Sequence, residues 1–218
     1  MFALLRRLGT AHLYNVATVN TIRFCHFLAL LFILSGCDRD PSTKKTTTQP
    51  SSPVPAFLAN LTPVGKMDPI ESKAIVCLFT RTDCPVSNSY APEVRRLHEK
   101  FSPRGVSFFL VYPDADESAD AIARHLKEYS YPFPGLRDPR HELVKKSGAK
   151  ITPEAAVFDP KGNLLYRGRI DDRFVDFGKE RAAPTQHDLE RALESILAGK
   201  PAPPPSGPAI GCFIADVK

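Results

Sequence analysis

Apolar positions in the first half of the folded part follow two different periods. Residues 74–80 and 106–112 are continuous apolar runs, which is typical of strands buried on both faces of a sheet. Between these runs, Val94, Leu97 and Phe101 recur at helical spacing. The pattern therefore predicts a strand, a helix and a second strand in succession.

The second half continues this alternation of helical and extended patterns. Its predicted elements are a helix at 119–129, an extended piece at 133–136, a helical turn at 142–147, a hairpin with strands at 155–158 and 164–170, and a last helix capped by Thr185 with Leu189, Leu193, Ile196 and Leu197 as its apolar stripe. This order predicts an α/β fold in which a mixed central sheet is flanked by helices on both faces.

Cys84 lies where the first predicted strand gives way to the first predicted helix, which runs to about Ser102. Pro85 falls at the first helical position, where its missing N–H costs nothing. A cysteine at this junction meets free backbone N–H groups and the positive end of the helix dipole, and both favour the thiolate. The sequence thus predicts an exposed, reactive thiol at Cys84, and the alternative is a structural cysteine that begins a helix.

The residues from Asp83 onward read Asp-Cys-Pro-x-Ser-x-x-Tyr-Ala-Pro. This stretch resembles the active-site helix of thioredoxin-like redoxins of the AhpC/TSA-like group, and the likeness runs from about residue 61 to residue 214. Two differences from related patterns bear on the chemistry. Ser87 stands where a thioredoxin has its second cysteine, and Cys77 and Arg81 stand where the peroxiredoxin pattern has Pro and Thr or Ser.

The same resemblance implies a thioredoxin-like fold and a role for the Thr152-Pro153 pair. In such folds a loop with a cis-proline faces the active cysteine, and the resemblance implies that Thr152, Pro153 and Pro85 contribute to substrate binding. An ordinary trans proline at the start of a strand is the alternative. Asp171 and Asp172, at the end of a predicted strand, are expected to be solvated rather than to serve Cys84.

The N-terminal segment has the pattern of an exported, lipid-anchored protein. Arg23 precedes an apolar run at 24–34 that is too short to span a bilayer but fits a signal peptide. The run ends in Leu34-Ser35-Gly36-Cys37, which resembles the lipobox of bacterial lipoproteins and implies lipidation of Cys37. An ordinary signal peptide or an uncleaved anchor is the alternative. The expected location is the cell membrane, facing the periplasm.

The predicted domain organisation follows from these signals and from composition. Residues 1–36 are the signal peptide, and 37–55, rich in Thr, Ser, Pro and Lys, form a disordered tether. Residues 56–200 are the redoxin domain. The remainder, 201–218, is a proline-rich tail whose apolar end, with Cys212, is expected to fold back onto the domain.

Charge and histidine spacing limit the partners. The formal net charge is +5, but without the first 36 residues the chain has 26 basic and 24 acidic residues, or +2. Such a balance does not indicate nucleic-acid binding. His98, His125 and His187 fall in predicted helices and are expected at the surface. We expect no metal and no cofactor.

Cys84 and Cys212 are the two thiols predicted to be available in an oxidising compartment. Cys77 lies in a predicted buried strand and is expected to be a small core residue. Cys212 is then either the resolving partner of Cys84 or a packed or intermolecular cysteine.

These features predict a membrane-tethered thiol–disulfide oxidoreductase. Its nucleophile is Cys84, and its partner is a protein or small-molecule disulfide with an unidentified electron donor. The alternatives are a thiol-dependent peroxidase that takes a hydroperoxide, and a copper-binding protein of the same fold that uses Cys84, Cys212 and a histidine.

Overall fold

The computed structural model describes residues 54–68 and 70–215. The predicted signal peptide (1–36), the predicted lipid attachment residue Cys37 and most of the predicted tether (37–55) lie outside the described residues. Within the described part of the chain, no helix is both long enough and apolar enough to cross a membrane.

The described residues form five α-helices and ten strands. The helices are α1 (Pro85–Ser89), α2 (Ala91–Phe101), α3 (Ala119–Glu128), α4 (Glu142–Ser147) and α5 (Asp188–Leu197). The strands are β1 (Thr62–Val64), β2 (Ala74–Phe79), β3 (Val106–Tyr112), β4 (Gly135–Arg137), β5 (Ile151–Thr152), β6 (Glu154–Phe158), β7 (Leu164–Gly168), β8 (Phe174–Asp176), β9 (Lys179–Glu180) and β10 (Cys212–Phe213).

Six strands form the central sheet in the order β1-β4-β3-β2-β6-β7. The β2–β3 and β3–β4 pairs are parallel, whereas β1–β4, β2–β6 and β6–β7 are antiparallel. The predicted mixed sheet is therefore confirmed. The short pairs β8–β9 and β5–β10 lie outside this sheet.

The apolar core occupies both faces of the sheet because β2 is buried along its whole length. Val76 belongs to a cluster with Leu97 of α2, whereas its neighbour Cys77 belongs to the opposite cluster with Leu143 of α4. Helices thus cover both faces, which explains the continuous apolar run in β2. Cys77 is fully buried, as predicted for a core residue.

The predicted continuous helix after Cys84 is wrong, because α1 ends before α2 begins. Pro92 has no N–H to donate to the Asn88 carbonyl, four residues earlier, so the helix is interrupted near Tyr90. The break divides a short helix that starts at Cys84 from a longer one that packs on the sheet.

Thr185 does not cap the last helix, contrary to the prediction. The α5 helix begins at Asp188, and its N-cap residue His187 makes no side-chain capping bond. The Thr185 hydroxyl instead donates to Asp172 Oδ2 at 2.6 Å. The helix thus begins two residues later than a cap at Thr185 would require.

Candidate active site

Cys84 occupies the N-cap position of α1, directly after the turn that follows β2, and Pro85 is the first helical residue. The Asn88 N–H donates to the Cys84 carbonyl at 3.0 Å, which fixes the cysteine at the start of the helix. The residue is only 1% exposed, so the predicted exposure of Cys84 is wrong. Another part of the chain covers its sulphur.

Cys212 is the residue that covers it. The two sulphur atoms lie 2.6 Å apart, closer than van der Waals contact and within reach of a disulfide bond, which is about 2.05 Å long. Cys84 is buried, whereas Cys212 is partly exposed. The tail therefore supplies Cys84 with a neighbouring thiol, which the motif itself lacks because Ser87 occupies the position of the second cysteine.

The loop before β6 forms the other wall of the site. The peptide bond between Thr152 and Pro153 is cis, in agreement with the prediction from sequence. The Thr152 carbonyl oxygen lies 3.3 Å from the Cys84 sulphur, which donates to it in the thiol form. Cys212 pairs with Thr152 across the β5–β10 ladder, so both cysteines lie against this loop.

The two thiols have opposite pKa shifts. Burial acts to raise the pKa of Cys84, but hydrogen bonds from the Cys212 side chain and from Ser87 outweigh it, and the pKa lies below its ordinary value. Burial, together with the hydrogen bond given to Cys84, raises the pKa of Cys212 to about 12. The thiolate is thus favoured on Cys84 and the proton on Cys212.

A chain of side-chain hydrogen bonds holds the turn before Cys84. The Glu117 carboxylate accepts from the Thr82 N–H at 2.6 Å, and Asn88 Nδ2 donates to the Thr82 carbonyl at 3.0 Å. Asn88 Oδ1 in turn lies 2.8 Å from His125 Nε2, and Tyr112 Oη lies 2.8 Å from His125 Nδ1.

His125 is buried, so its predicted surface position is wrong. Burial lowers the pKa of His125 to about 4, so its ring is neutral. Because Asn88 uses its amide N–H on Thr82, its oxygen must accept, and the His125 proton is then on Nε2. The sequence carries a signal for this role, since His125 shares the helix face of Ile122 and Leu126.

The two aspartates after β7 are also buried rather than solvated. Asp171 accepts from Tyr90 Oη at 2.6 Å, and Asp172 accepts from the Thr185 and Gln186 N–H groups. Burial is the main cause that raises the pKa of Asp171. These carboxylates stabilise the chain around α1 and α5, and neither hydrogen-bonds to a cysteine.

Among the described residues, one group has the spacing of a metal site. It consists of Glu93, Asp171 and His187, whose ligand atoms lie within 4.8 Å of one another. Neither Cys84 nor Cys212 belongs to it.

A cysteine at the start of a helix that follows a central strand, opposite a cis-proline loop, defines a thioredoxin-like redoxin. The family model described as the AhpC/TSA family matches residues 53–167, and the chain belongs to this family. The matched region includes Cys84 and Pro153 but ends well before Cys212.

Similar proteins include curated relatives and solved structures. The chain is 26% identical over 95 residues to the thiol-disulfide oxidoreductase ResA of Bacillus thuringiensis subsp. konkukian, a match that covers 44% of this chain and 54% of ResA. The ResA of Bacillus cereus matches to the same extent. The chain thus spans about half the length of these curated relatives.

Two crystal structures share the fold with a TM-score of 0.57. One is an uncharacterized conserved protein from Geobacillus kaustophilus, 30% identical, with 66% of this chain and 78% of that chain covered. The other is a hypothetical protein from Sinorhizobium meliloti 1021, 26% identical, with 66% and 80% covered.

Proposed function

We propose that the protein is a membrane-tethered thiol–disulfide oxidoreductase with Cys84 as its nucleophile and Cys212 as its resolving cysteine. The observation that carries this proposal is the 2.6 Å separation of the two sulphur atoms. The opposite pKa shifts support the assignment of roles, because the thiolate is the attacking form. The similarity to ResA supports disulfides as substrates.

The reaction proceeds by two thiol–disulfide exchanges. The Cys84 thiolate attacks one sulphur of a substrate disulfide, forms a mixed disulfide and releases the other substrate sulphur as a thiolate. Cys212 then gives up its proton to that thiolate and attacks the Cys84 sulphur. The second substrate thiolate leaves, and two electrons have passed from the cysteine pair to the substrate.

Pro85, Thr152 and Pro153 shape the substrate site in this scheme. Pro85 starts the helix without an N–H, so the free N–H groups of the first turn lie deeper, near Ser87. The Thr152 carbonyl lies beside the reacting sulphur, and Pro153 turns the chain so that this backbone edge faces the site. A substrate disulfide is then held between the loop and the helix start.

The membrane tether is part of the same proposal. The stretch from Leu34 to Cys37 supports a lipid on Cys37, a disordered tether at 37–55 and a location on the periplasmic side of the cell membrane. Metabolic labelling with a fatty acid tests this, because Cys37→Ser abolishes incorporation while Cys25→Ser keeps it. Incorporation that survives Cys37→Ser contradicts the tether.

The peroxidase and copper alternatives have no comparable support. The residues at positions 77 and 81 depart from the peroxiredoxin pattern. For copper, the metal-type cluster of the described residues includes neither Cys84 nor Cys212.

The proposal is tested by turnover of a disulfide substrate with excess dithiothreitol as donor. Cys84→Ser abolishes turnover above the uncatalysed rate with dithiothreitol, whereas reduced Cys212→Ser, mixed with the substrate after dithiothreitol has been removed, accumulates a mixed disulfide on Cys84. Cys77→Ala is the matched control, because Cys77 is buried in β2 away from the site, and it retains turnover. Turnover above the uncatalysed rate that persists in Cys84→Ser overturns the proposal.

A further inference from the structure

The tail strand, defined as residues 211–214, lies along β5 beside the reactive sulphur. It runs antiparallel to β5, so Cys212 lies opposite Thr152. Further along, the Ile214 N–H donates to the Lys150 carbonyl at 2.9 Å. Among the described strands, β5 has no other pairing partner. The tail strand therefore fills a strand edge that would otherwise be open.

Gly211 lies close against this edge. A Cβ atom at Gly211 would lie 2.1 Å from the Thr152 carbonyl oxygen and 3.1 Å from the Pro153 ring. The first of these atoms is backbone, so it cannot rotate away as a side chain would. In this register, only glycine fits directly before the cysteine.

The tail is held firmly upstream and weakly at the strand itself. The N–H and hydroxyl of Ser206 both donate to Asp188 Oδ1, at 2.9 and 2.7 Å, and Asp188 is buried. By contrast, β10 is only two residues long, and the Phe213 side chain is 78% exposed. The tail strand can thus leave β5 while the chain stays attached at Ser206.

We propose that the tail strand is a tethered occupant of a groove, formed by the open edge of β5 and by Cys84, that receives a polypeptide partner of Cys84, and that this groove selects partner cysteines preceded by glycine. The inference rests on the proposed function of Cys84. Pairing along an open strand edge gives affinity for extended chains, and contacts at each side-chain position give specificity. The tail strand presents Gly-Cys in an extended form to Cys84.

Occupancy of the groove then depends on the redox state. When Cys84 and Cys212 form a disulfide, the tail strand is tied to the site covalently and a polypeptide is excluded. A dithiol donor breaks that bond by supplying two electrons and is itself oxidised to a disulfide. The tail strand is then held by a few hydrogen bonds and by the partial burial of Cys212 and Ile214, and an extended partner that makes the same contacts displaces it.

Two synthetic peptides test the groove directly. One has the tail sequence 209–214, and the other has alanine in place of its glycine; the cysteine of each is joined to thionitrobenzoate as a mixed disulfide. The Cys84 thiolate attacks the peptide sulphur, forms a Cys84–peptide disulfide and releases coloured thionitrobenzoate. The reagent is the full-length Cys212→Ser protein, and a protein that also carries Cys84→Ser corrects for other thiols.

With the Cys212→Ser protein, we expect the glycine peptide to react at least about tenfold faster than the alanine peptide. With free glutathione, which has no groove, the two peptides should react at the same rate. Adding Gly211→Ala to the Cys212→Ser protein should expel the tail strand, and the rate at which the glycine peptide reacts with Cys84 should rise by about tenfold. Phe213→Ala is the matched control on the same strand and leaves that rate unchanged, because the ring faces solvent.

Equal rates for the two peptides overturn the inference, as does a folded Gly211→Ala protein that gains no rate. If Gly211→Ala does not fold, the comparison of the two peptides on the Cys212→Ser protein decides alone. A small aromatic disulfide, dithiobis(nitrobenzoate), separates this inference from the proposed function. If Cys84 reacts with that reagent but does not discriminate between the peptides, only the inference fails; if Cys84 reacts with no disulfide, both fail.

Discussion

Cys84 and Cys212 have the same side chain in unlike surroundings. Cys84 is 1% exposed and accepts hydrogen bonds that lower its pKa, whereas Cys212 is partly exposed and has a raised pKa. In a disulfide between them, the sulphur with the lower pKa is the better leaving group. We therefore expect an incoming thiolate to attack the accessible sulphur of Cys212 and to displace Cys84.

This asymmetry predicts the site at which a monothiol attacks the oxidised protein. After brief exposure to glutathione and an acid quench with maleimide, we expect glutathione on Cys212 and maleimide on Cys84. Peptide mapping by mass spectrometry measures both adducts. Glutathione found mainly on Cys84 would contradict the assignment, because it would require attack on the buried sulphur.

At the level of elements, α3 supports the start of α1 through one neutral histidine. His125 connects Tyr112 at the end of β3 with Asn88 in α1, and Asn88 in turn holds the Thr82 carbonyl. Protonation of His125 would place a donor against the Tyr112 hydroxyl and a charge in a buried site. The folded state therefore disfavours the charged ring.

The sign of the resulting pH dependence follows from linkage. Because the folded-state pKa of His125 is about 4, below the ordinary histidine value of 6.5, protonation favours the unfolded state. This contribution to stability is full near pH 7, declines below about pH 6.5 and is lost by about pH 4. Between about pH 7 and pH 5 we expect the free energy of unfolding to fall by about 2 kcal/mol for this reason.

Chemical denaturation of the wild type and of His125→Gln at both pH values measures that difference. The wild type should lose about 2 kcal/mol more than His125→Gln on going to about pH 5. His187→Gln, at an exposed position, is the control and should follow the wild type. An equal loss in His125→Gln and the wild type would contradict a buried neutral histidine.

The elements themselves were largely predictable from the sequence, and the exceptions have local causes. The bounds of β3 and α4 agree with the prediction because clear apolar periods and turn residues limit both. The break between α1 and α2 was missed because the apolar period at Val94, Leu97 and Phe101 shows which face of the helix is buried but not where the helix begins, and Pro92 belongs to the first turn of α2. Asp171 and Asp172 were misjudged because burial of a carboxylate depends on partners distant in sequence.

At the scale of the whole molecule, the tail after α5 contributes Cys212 to the candidate active site. Asp188 pairs with Arg169 at 2.6 Å and receives both hydrogen bonds of Ser206, so the tail is fixed a few residues before Cys212. Such fixation raises the effective concentration of Cys212 near Cys84. The sequence indicated that the apolar tail end folds back, but it contained no local signal for the contacts of Asp188 with Arg169 and Ser206.

Ser206→Ala is predicted to weaken the disulfide without removing either cysteine. Loss of the hydroxyl loosens the tail, and the equilibrium constant for disulfide formation in glutathione buffers should fall by about threefold to tenfold. Ser118→Ala is the matched control, because it removes the N-cap of α3, costs about 1 kcal/mol and lies outside the tail. An equal fall in both variants would show a general loss of stability rather than a loosened tail.

The central claim is that Cys84 and Cys212 form one redox pair. The most direct measurement is peptide mapping of the unreduced, full-length protein after free thiols have been blocked. The account predicts a Cys84–Cys212 crosslink that disappears on mild reduction, with Cys77 free before and after. Both thiols found free, even after treatment with an oxidant, would contradict it.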